Sequence, residues 1–307
     1  MNKIFAVIVT YNPDGSHFNA LLSSLGGQCF KTIVVDNTES VDDPVSLYFP
    51  KNHQHIDRFH VIRLGENLGI AKALNVGIQF ALDQGADFVV LSDQDSLPEN
   101  DMVECLQRAY SELSALGIRV GAVGPTFTDL HRSMTLPFQV QLPGHFFYGH
   151  RVPSVAEPHI EALGLITSGT LIHMSTIRDV GLMREEYFID KVDNEWCHRA
   201  RAKGYRLFGT GWARMHQRLG EGGLKVWYFG WRDESVYSPL RIYYQLRNYV
   251  AICRLDYVDW KWKVRVGWFS LGVLYSQVLF GKTRSEACKK GLLGLWHGII
   301  NRMGKYT

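Results

Sequence analysis

The chain has 307 residues with a net charge of +3, and 46% of the residues are hydrophobic, 12% aromatic and 21% charged. This composition excludes an intrinsically disordered chain, and the length suits one large or two small globular domains. The five cysteines are scattered and show no Cys-x-x-Cys spacing. That pattern argues against a disulfide framework or a zinc site and favours the reducing cytoplasm.

The first half of the chain alternates predicted strands with predicted helices. The apolar run over residues 4–9 is too short for a signal peptide. It predicts a buried strand. Similar runs predict strands over residues 32–36, 59–64, 88–91 and 120–123. Helix-like segments lie over residues 16–25, 70–82 and 98–116. The alternation predicts an α/β fold with a mostly parallel sheet, in which ligands bind at the carboxyl ends of the strands.

The second half departs from this alternation. Residues 127–161 are rich in proline, histidine, glycine and aromatic residues and predict an insertion over the sheet. Beyond it the sequence predicts strands over residues 162–166, 171–174 and 205–208, a turn at 168–170, a helix over 193–203 and a glycine-rich loop at 220–223. From Pro239 onward the chain is predicted to be helical. We therefore expect a catalytic domain over residues 1–250 and a helical extension over 251–307.

Two aspartates directly follow the predicted strand 88–91, in the sequence Ser-Asp-Gln-Asp-Ser. Residues two apart on a strand face the same way, so Asp93 and Asp95 can converge where the strand ends. Two carboxylates there suit Mg²⁺ or Mn²⁺, especially when a diphosphate completes the coordination. The alternative is an acidic turn, because aspartate and serine are common turn formers.

Polar residues also follow the other predicted strands. Tyr11 could lie beside a nucleotide base, although turn packing explains it equally well. Asp36 could accept the N3–H of thymine or uracil, and the alternative is an Asx turn. Asn67 and Gly69 precede a helix whose N-terminal amides favour phosphate, while Asn67 could instead simply cap that helix.

Five motifs, in this order, resemble those of the inverting nucleotide-sugar glycosyltransferases of family 2, which have the glycosyltransferase-A fold. The motifs occupy residues 9–12, 34–37, 67–75, 92–96 and 189–199. The resemblance covers residues 3–250. Within the family, Ser-Asp-Gln-Asp-Ser together with Val-Asp-x-Glu-Trp-Cys is most similar to bacterial dTDP-rhamnosyltransferases of surface-polysaccharide assembly.

The resemblance implies transfer of L-rhamnose from dTDP-β-L-rhamnose, with inversion, to a hydroxyl of a lipid-linked saccharide. It places Asp193 where the family has its catalytic aspartate. This chain has Val192 where glutamate is usual and Glu195 where aspartate is usual, so Asp190, Asp193 and Glu195 all stay candidate bases. The alternative is a helix N-terminus decorated with acids that favour its dipole.

The resemblance also implies a donor site and a third metal contact. The residues implied for the nucleotide sugar are Thr10, Tyr11, Asn12, Asp36, Asn67, Gly69, Lys72, Asn75, Asp93, Gln94 and Arg247. The metal, Mg²⁺ or Mn²⁺, is expected at Asp93, Asp95 and His216. For Arg247 and His216 the alternatives are a helix-surface ion pair and a satisfied structural histidine. A UDP-hexose donor, or a sugar-nucleotide-binding protein without catalysis, are the alternative functions.

The last fifty residues, 258–307, carry nine basic and two acidic side chains, and hence a net charge of +7. They also hold Trp260, Trp262, Trp268 and Trp296. This combination predicts peripheral contact with an anionic membrane at its cytoplasmic face, and the alternative is a packed helical lobe. Residues 266–280 include Gly267, Ser270, Ser276 and Gln277 and do not predict a membrane span. An oligomer is possible, and a nucleic-acid partner is not expected.

Overall fold

The computed structural model describes residues 2–39, 56–129, 134–142, 148–217, 223–227 and 230–307. Its strands are β1 (Ile4–Thr10), β2 (Lys31–Asp36), β3 (Phe59–Arg63), β4 (Phe88–Asp93), β5 (Ser96–Pro98), β6 (Val120–Asp129), β7 (Met134–Thr135), β8 (Phe138–Val140), β9 (Gly149–Arg151), β10 (His159–Ala162), β11 (Leu171–His173), β12 (Arg206–Gln217), β13 (Gly223–Trp227) and β14 (Trp231–Ser235). Its helices are α1 (Gly15–Gln28), α2 (Ile70–Asp83), α3 (Met102–Ala115), α4 (Met174–Val180), α5 (Val192–Ala202), α6 (Pro239–Cys253), α7 (Trp260–Leu279) and α8 (Arg284–Ile299).

The main sheet has the strand order β3-β2-β1-β4-β11-β6-β12-β10. The neighbours from β3 to β4 are parallel, and so are β6 and β12, whereas β11 and β10 run antiparallel to their partners. The predicted α/β class is confirmed, but the sheet is mixed. The reason is the turn at Gly169, whose φ of +72° lets the short strand β11 reverse between β4 and β6.

Both faces of the sheet are covered, because successive side chains of a strand point to opposite faces. In β1, Val7 and Val9 enter a core with α2 and α5, whereas Ala6 and Ile8 enter a core with α1 and α3. Helix α2 lies close to the sheet at Gly77, where an added Cβ would lie 2.4 Å from Cγ1 of Val7. This packing fixes the carboxyl ends of β1, β2 and β4 at one edge.

Some predicted boundaries are wrong, and long-range pairing explains why. Pro98 ends β5, which pairs with β12, and the helix predicted from residue 98 begins only at Met102. The strand predicted over residues 162–166 does not form there. The strand in this region is β10, which lies almost entirely within the expected insertion of residues 127–161. The strand predicted over 205–208 continues to Gln217, because β12 pairs with β6 along its length. Residues 220–222 of the predicted glycine-rich loop lie outside the described residues.

The C-terminal part is helical, as predicted. The boundary expected at residue 250 falls inside α6, which packs against α8. The segment after α8 returns to the first domain, where Gly304 donates its N–H to the carbonyl of Glu186. Within the described residues, no helix is both long and apolar enough to cross a bilayer.

Candidate active site

A cleft of about 410 Å³ opens where β1 and β4 end side by side, with Val9 opposite Asp93 in the parallel register. Such a position is the usual ligand site of an open α/β sheet. The cleft is lined by residues of β1, β4, the loops after β2 and β3, and the segment before α5 and α6. They are Val9, Thr10, Tyr11, Asn37, Asn67, Gly69, Ile70, Asp93, Gln94, Phe188, Ile189, Ser238, Leu240, Arg241 and Tyr244.

One wall of the cleft is held by side-chain amides. Gln94 accepts from the backbone N–H of Tyr11 at 2.7 Å and donates back to its carbonyl at 3.2 Å. Asn37 accepts from Leu68 N–H at 2.8 Å and donates to Asn67 at 3.1 Å. These contacts leave the Tyr11 ring 44% exposed at the cleft, which suits stacking on a flat ligand.

The loop after β2 is built around Asp36, which is buried. Its Oδ1 accepts from the Thr10 hydroxyl at 3.3 Å and from the Thr38 N–H at 3.1 Å, the second bond forming the Asx turn that was the structural alternative. Asn12, with φ +45°, donates its N–H to Thr38 at 3.0 Å. The two strand ends are therefore joined beneath the cleft.

The Asp93 carboxyl lies in the cleft wall with a perturbed pKa. Burial, followed by the negative charges of Asp95 and Asp193, raises the pKa of Asp93 to about 7. Ser168 anchors the loop, because its Oγ accepts from Asp93 N–H at 2.9 Å and lies 2.5 Å from Ser96 Oγ. Ser168 comes from the predicted turn at 168–170 and was not predicted as a site residue.

The donor set around Asp93 fits a hard divalent cation. Asp93 and Asp95 supply carboxylate oxygens, and Asp193 adds negative charge that such a cation would neutralise. Among the described residues, no group of three His, Cys, Asp or Glu side chains is arranged to hold a metal. A cation here would therefore take its remaining ligands from a bound diphosphate or from water.

His216 faces Asp95 rather than Asp93. Both line a second cavity of about 260 Å³, in which His216 Nε2 lies 3.3 Å from Oε1 of Glu99. Its buried Nδ1 has no hydrogen-bond partner. The histidine is thus near one of the two predicted metal ligands. Residues 218–221, in the loop that follows it, lie outside the described residues.

Of the acids predicted as bases, Asp190 lies on a strained loop before α5, here called the acid loop (residues 186–191), whereas Asp193 and Glu195 lie in the first turn of α5. Phe188, Asp190 and Lys191 have φ values of +64°, +63° and +63°, which are uncommon for residues with a Cβ. Burial raises the pKa of both Asp190 and Asp193. Asp190 is paired with Arg241, whose Nε lies 3.4 Å from its Oδ2.

Arg247 and Asn248 hold the acid loop and are themselves fully buried. Asn248 donates its amide to the carbonyls of Tyr187, Ile189 and Asp190 at 2.7–2.9 Å. Arg247 donates to the carbonyls of Glu186, Tyr187 and Gly304. Its predicted contact with phosphate is therefore corrected, because its guanidinium is buried and engaged with backbone carbonyls.

The prediction of Glu195 as a candidate base is also corrected, because its side chain is 0% exposed. Its carboxylate accepts two bonds of 2.9 Å from Arg199, one turn along α5, and one of 2.5 Å from the Tyr257 hydroxyl. Arg184 lies 3.5 Å away. This buried network stabilises the packing of α5, and it turns the Glu195 carboxylate away from the cleft.

Two residues predicted at the start of α2 lie elsewhere. Lys72 pairs with Glu185 at 3.0 Å, and Asn75 donates to the Met183 carbonyl at 2.8 Å; both line a separate cavity. Gly69 does lie at the cleft, where an added Cβ would approach the Phe188 carbonyl to 2.6 Å. That carbonyl accepts the N–H of Ile70, so this amide is not free for a phosphate.

The structure adds cleft residues that the sequence did not reveal. Tyr244 stacks on Phe188, with ring centroids 5.1 Å apart and planes at 17°, and both line the cleft. Arg241 brings a cation to the same wall. The sequence pointed to Arg247 of α6, whereas the arginine of that helix that lines the cleft is Arg241.

Comparison with known proteins now identifies the class. The sequence matches the glycosyl transferase family 2 domain over residues 5–160. It is 32% identical over 308 residues to the dTDP-rhamnosyl transferase RfbF of Shigella flexneri, covering 100% of this chain and 99% of that protein. The chain therefore belongs to glycosyltransferase family 2 and is a glycosyltransferase.

Solved structures confirm the predicted glycosyltransferase-A fold. TarS 1–349 of S. aureus, in complex with UDP-GlcNAc, has a TM-score of 0.57 at 17% identity, covering 97% of this chain and 80% of that one. The mannosyltransferase PcManGT from Pyrobaculum calidifontis, in complex with GDP-Man and Mn²⁺, has a TM-score of 0.57 at 15% identity, covering 94% and 73%.

The raised pKa of Asp93 predicts a pH-dependent instability of the metal-free protein. In the unfolded chain the pKa is near 3.8, and in the fold it is about 7, so the folded state binds more protons between these values. The cost of ionising Asp93 is absent below the lower value and grows until the upper one. In chelator, Asp93→Asn should raise the melting temperature more at pH 8 than at pH 5.

The matched control is Asp179→Asn, an exposed aspartate whose pKa is lowered by the Tyr205 hydroxyl and Lys203. Its ion pair stabilises the fold at both pH values, so this substitution should not raise the melting temperature. An Asp93→Asn gain of equal size at pH 5 and pH 8 would contradict the assignment.

Proposed function

We propose that the enzyme transfers L-rhamnose from dTDP-β-L-rhamnose, with inversion and a divalent metal, to a hydroxyl of a lipid-linked saccharide. The observation that carries the proposal is the place of Asp93 in the cleft wall at the sheet edge, with Asp193 close enough to act on its charge. The relative RfbF, named a dTDP-rhamnosyl transferase, supports the choice of donor. The fold also suits a UDP-hexose, which stays the alternative donor.

In this proposal, different walls of the cleft contact different parts of the donor. The exposed Tyr11 ring and the Asp36 turn receive the thymine base, with Thr10, Asn12 and Asn67 shaping the loops beneath it. Asp93 and Asp95 face the diphosphate and would hold Mg²⁺ or Mn²⁺, and His216, which lines a cavity together with Asp95, is the proposed third contact. The metal, when bound, neutralises the negative charge that builds on the leaving diphosphate. Gln94 and Gly69 keep the wall in place.

Asp193 is the catalytic base in this proposal. A base must be available to accept a proton near neutral pH, and burial raises the pKa of Asp193 in that direction. Asp190 is less available because it is paired with Arg241. Asp193 takes the proton of the acceptor hydroxyl as its oxygen attacks the anomeric carbon and the bond to the diphosphate breaks. A single displacement of this kind inverts the anomeric centre.

The base assignment predicts that Asp193→Asn loses transfer by roughly 10²–10⁴-fold, the usual share of general-base catalysis. Donor affinity should hardly change, because the amide keeps the shape of the carboxylate. Steady-state transfer and dTDP binding measure the two effects. Asp179→Asn, far from the cleft, should retain full activity. A crippled Asp190→Asn beside an active Asp193→Asn would move the base to Asp190.

The donor is tested by thermal shift with a panel of nucleotide sugars in Mn²⁺. A ligand at a hundredfold excess over its Kd stabilises the fold by about 2.7 kcal/mol. dTDP-rhamnose should raise the melting temperature more than UDP-glucose, UDP-galactose or UDP-N-acetylglucosamine. A larger shift with a UDP-sugar favours the alternative donor. Binding without donor hydrolysis or transfer would favour the non-catalytic alternative.

The proposal of a lipid-linked acceptor is supported by the exposed surface of α7. Large apolar residues recur there every three or four positions and form one stripe along the helix. They are Trp260, Val264, Trp268, Leu271, Tyr275 and Leu279. The expectation that Trp262 also contacts the membrane is corrected, because Trp262 is only 6% exposed and packs in the core.

The apolar stripe continues towards the cleft through the β13–β14 hairpin. The Tyr275 hydroxyl donates to the Trp227 carbonyl, and Trp231 packs against Phe280 at 6.4 Å. Trp231 is 69% exposed, and Leu240 lies both exposed and at the cleft. A bilayer against this surface would bring its lipid headgroups close to the cleft mouth, where a lipid-linked acceptor must enter.

We therefore expect the protein to float with anionic liposomes, as a peripheral protein of the cytoplasmic face. Each basic residue near an anionic leaflet contributes about 1 kcal/mol, which salt weakens, and buried aromatic surface adds a part that salt does not weaken. Replacing Trp268 and Trp231 by Ala should reduce flotation while the melting temperature stays constant. Trp262→Ala should lower the melting temperature instead. Wild-type protein that stays at the bottom at low salt contradicts membrane contact.

A further inference from the structure

The acids at the cleft would repel the negative charge of a bound donor. Asp93 lines the cleft, Asp193 acts on the charge of Asp93, and Asp190 is paired with Arg241 of the cleft wall. The nucleotide sugar proposed above brings a diphosphate with at least two more negative charges. One divalent metal cannot neutralise all of this charge. A second cation from the protein is therefore expected on the wall opposite Asp93.

Arg241 is positioned to supply that cation. Among the described residues that line the cleft, it is the only lysine or arginine. Its guanidinium side chain is 53% exposed, and its charge acts on both Asp93 and Lys191. A planar guanidinium is also the group that binds phosphate oxygens most specifically, through paired N–H donors.

The place of Arg241 on its helix is not explained by helix stability. Ser238 caps α6 by accepting the Arg241 N–H at 3.2 Å, and Pro239 occupies the first turn. Arg241 thus lies in the first turn, where the helix dipole disfavours a positive side chain. Its cation is offset there by Asp190, whose Oδ2 is buried and lacks any other hydrogen-bond partner.

We propose that Arg241 is the protein's cationic contact with the donor diphosphate, and that it exchanges Asp190 for the diphosphate when the donor enters. The proposal rests on the donor class proposed above. Asp190 is not left without a counter-charge after the exchange, because Lys191 is close enough to act on it. Donor binding thereby releases Asp190 of the acid loop from its ion pair with Arg241.

The other cations of the region do not compete for this role. Arg247 is fully buried and donates to three backbone carbonyls. Lys72 is paired with Glu185 beside a different cavity. Lys191 is close to both Asp190 and Asp193, and burial lowers its pKa. Arg241 alone combines exposure with a place on the cleft wall.

The experiment measures the Kd of dTDP and of dTMP by calorimetry with Mg²⁺ present. Arg241→Gln should weaken dTDP binding by about tenfold to a hundredfold, the range of a charge-assisted contact. The same substitution should change dTMP binding much less. Arg241→Lys, which keeps the charge but not the paired donors, should fall between wild type and Arg241→Gln.

Asp190→Asn tests the exchange. Because it frees Arg241 beforehand, it should tighten dTDP binding in the wild-type background and leave it unchanged in the Arg241→Gln background. Arg119→Gln is the matched control, since Arg119 forms an ion pair with Asp179 at 55% exposure on the far side of the sheet. It should bind dTDP like wild type. Melting temperatures confirm that each variant is folded.

The outcomes separate this inference from the proposed function. If wild-type protein binds no nucleoside diphosphate, the proposed donor class itself is wrong. If it binds dTDP and Arg241→Gln binds equally well, or loses dTDP and dTMP alike, the assignment of Arg241 is wrong while the donor class stands. If Asp190→Asn fails to tighten dTDP binding, the exchange of partners is wrong.

Discussion

The hydrogen bonds from Arg247 and Asn248 to the acid loop are the constraint on which the rest of the site depends. The loop contains three residues with positive φ, a conformation that side chains with a Cβ adopt only when their surroundings impose it. Two adjacent buried side chains on α6 impose it by donating to the carbonyls of Glu186, Tyr187, Ile189 and Asp190. Because the same helix carries Tyr244 and Arg241 into the cleft, one rigid element sets the acids, the aromatic wall and the cation together.

The clustered carboxylates at the cleft lower folding stability, and the same groups are the proposed metal ligands and base. Two aspartates, Asp95 and Asp193, lie close enough to raise the pKa of Asp93, and Asp193 is in the first turn of α5. An empty site therefore carries repulsion that only a cation relieves, so metal and donor should each bind more tightly in the presence of the other. The buried ion pair of Glu195 with Arg199 is different in kind, because its charges are matched within the fold and it has no need of a ligand.

Local sequence predicted the parts of the site that follow single strands. Asp93, Tyr11 and Asn67 line one cleft because a parallel sheet sends the ends of its strands to one edge. The errors share one cause, which is that local sequence does not say which neighbour a helix face or a strand edge will contact. Arg241 and Arg247 lie on one helix, and only the packing of α6 against the acid loop and α8 decides that the first faces the cleft and the second the core. Likewise β12 extends far beyond its predicted end because β6 pairs with it.

The return of the C-terminal segment to the acid loop has a consequence for synthesis of the enzyme. Gly304 bonds to Glu186 and Arg247, and Tyr306 donates its N–H to the Tyr244 hydroxyl in the cleft wall at 2.7 Å. The strands around Asp93 can pair while the chain is still on the ribosome, but these bonds cannot form until Tyr306 has left the exit tunnel. A nascent chain can therefore hold the sheet before the acid loop and the Tyr244 wall of the cleft have all of their final hydrogen-bond partners.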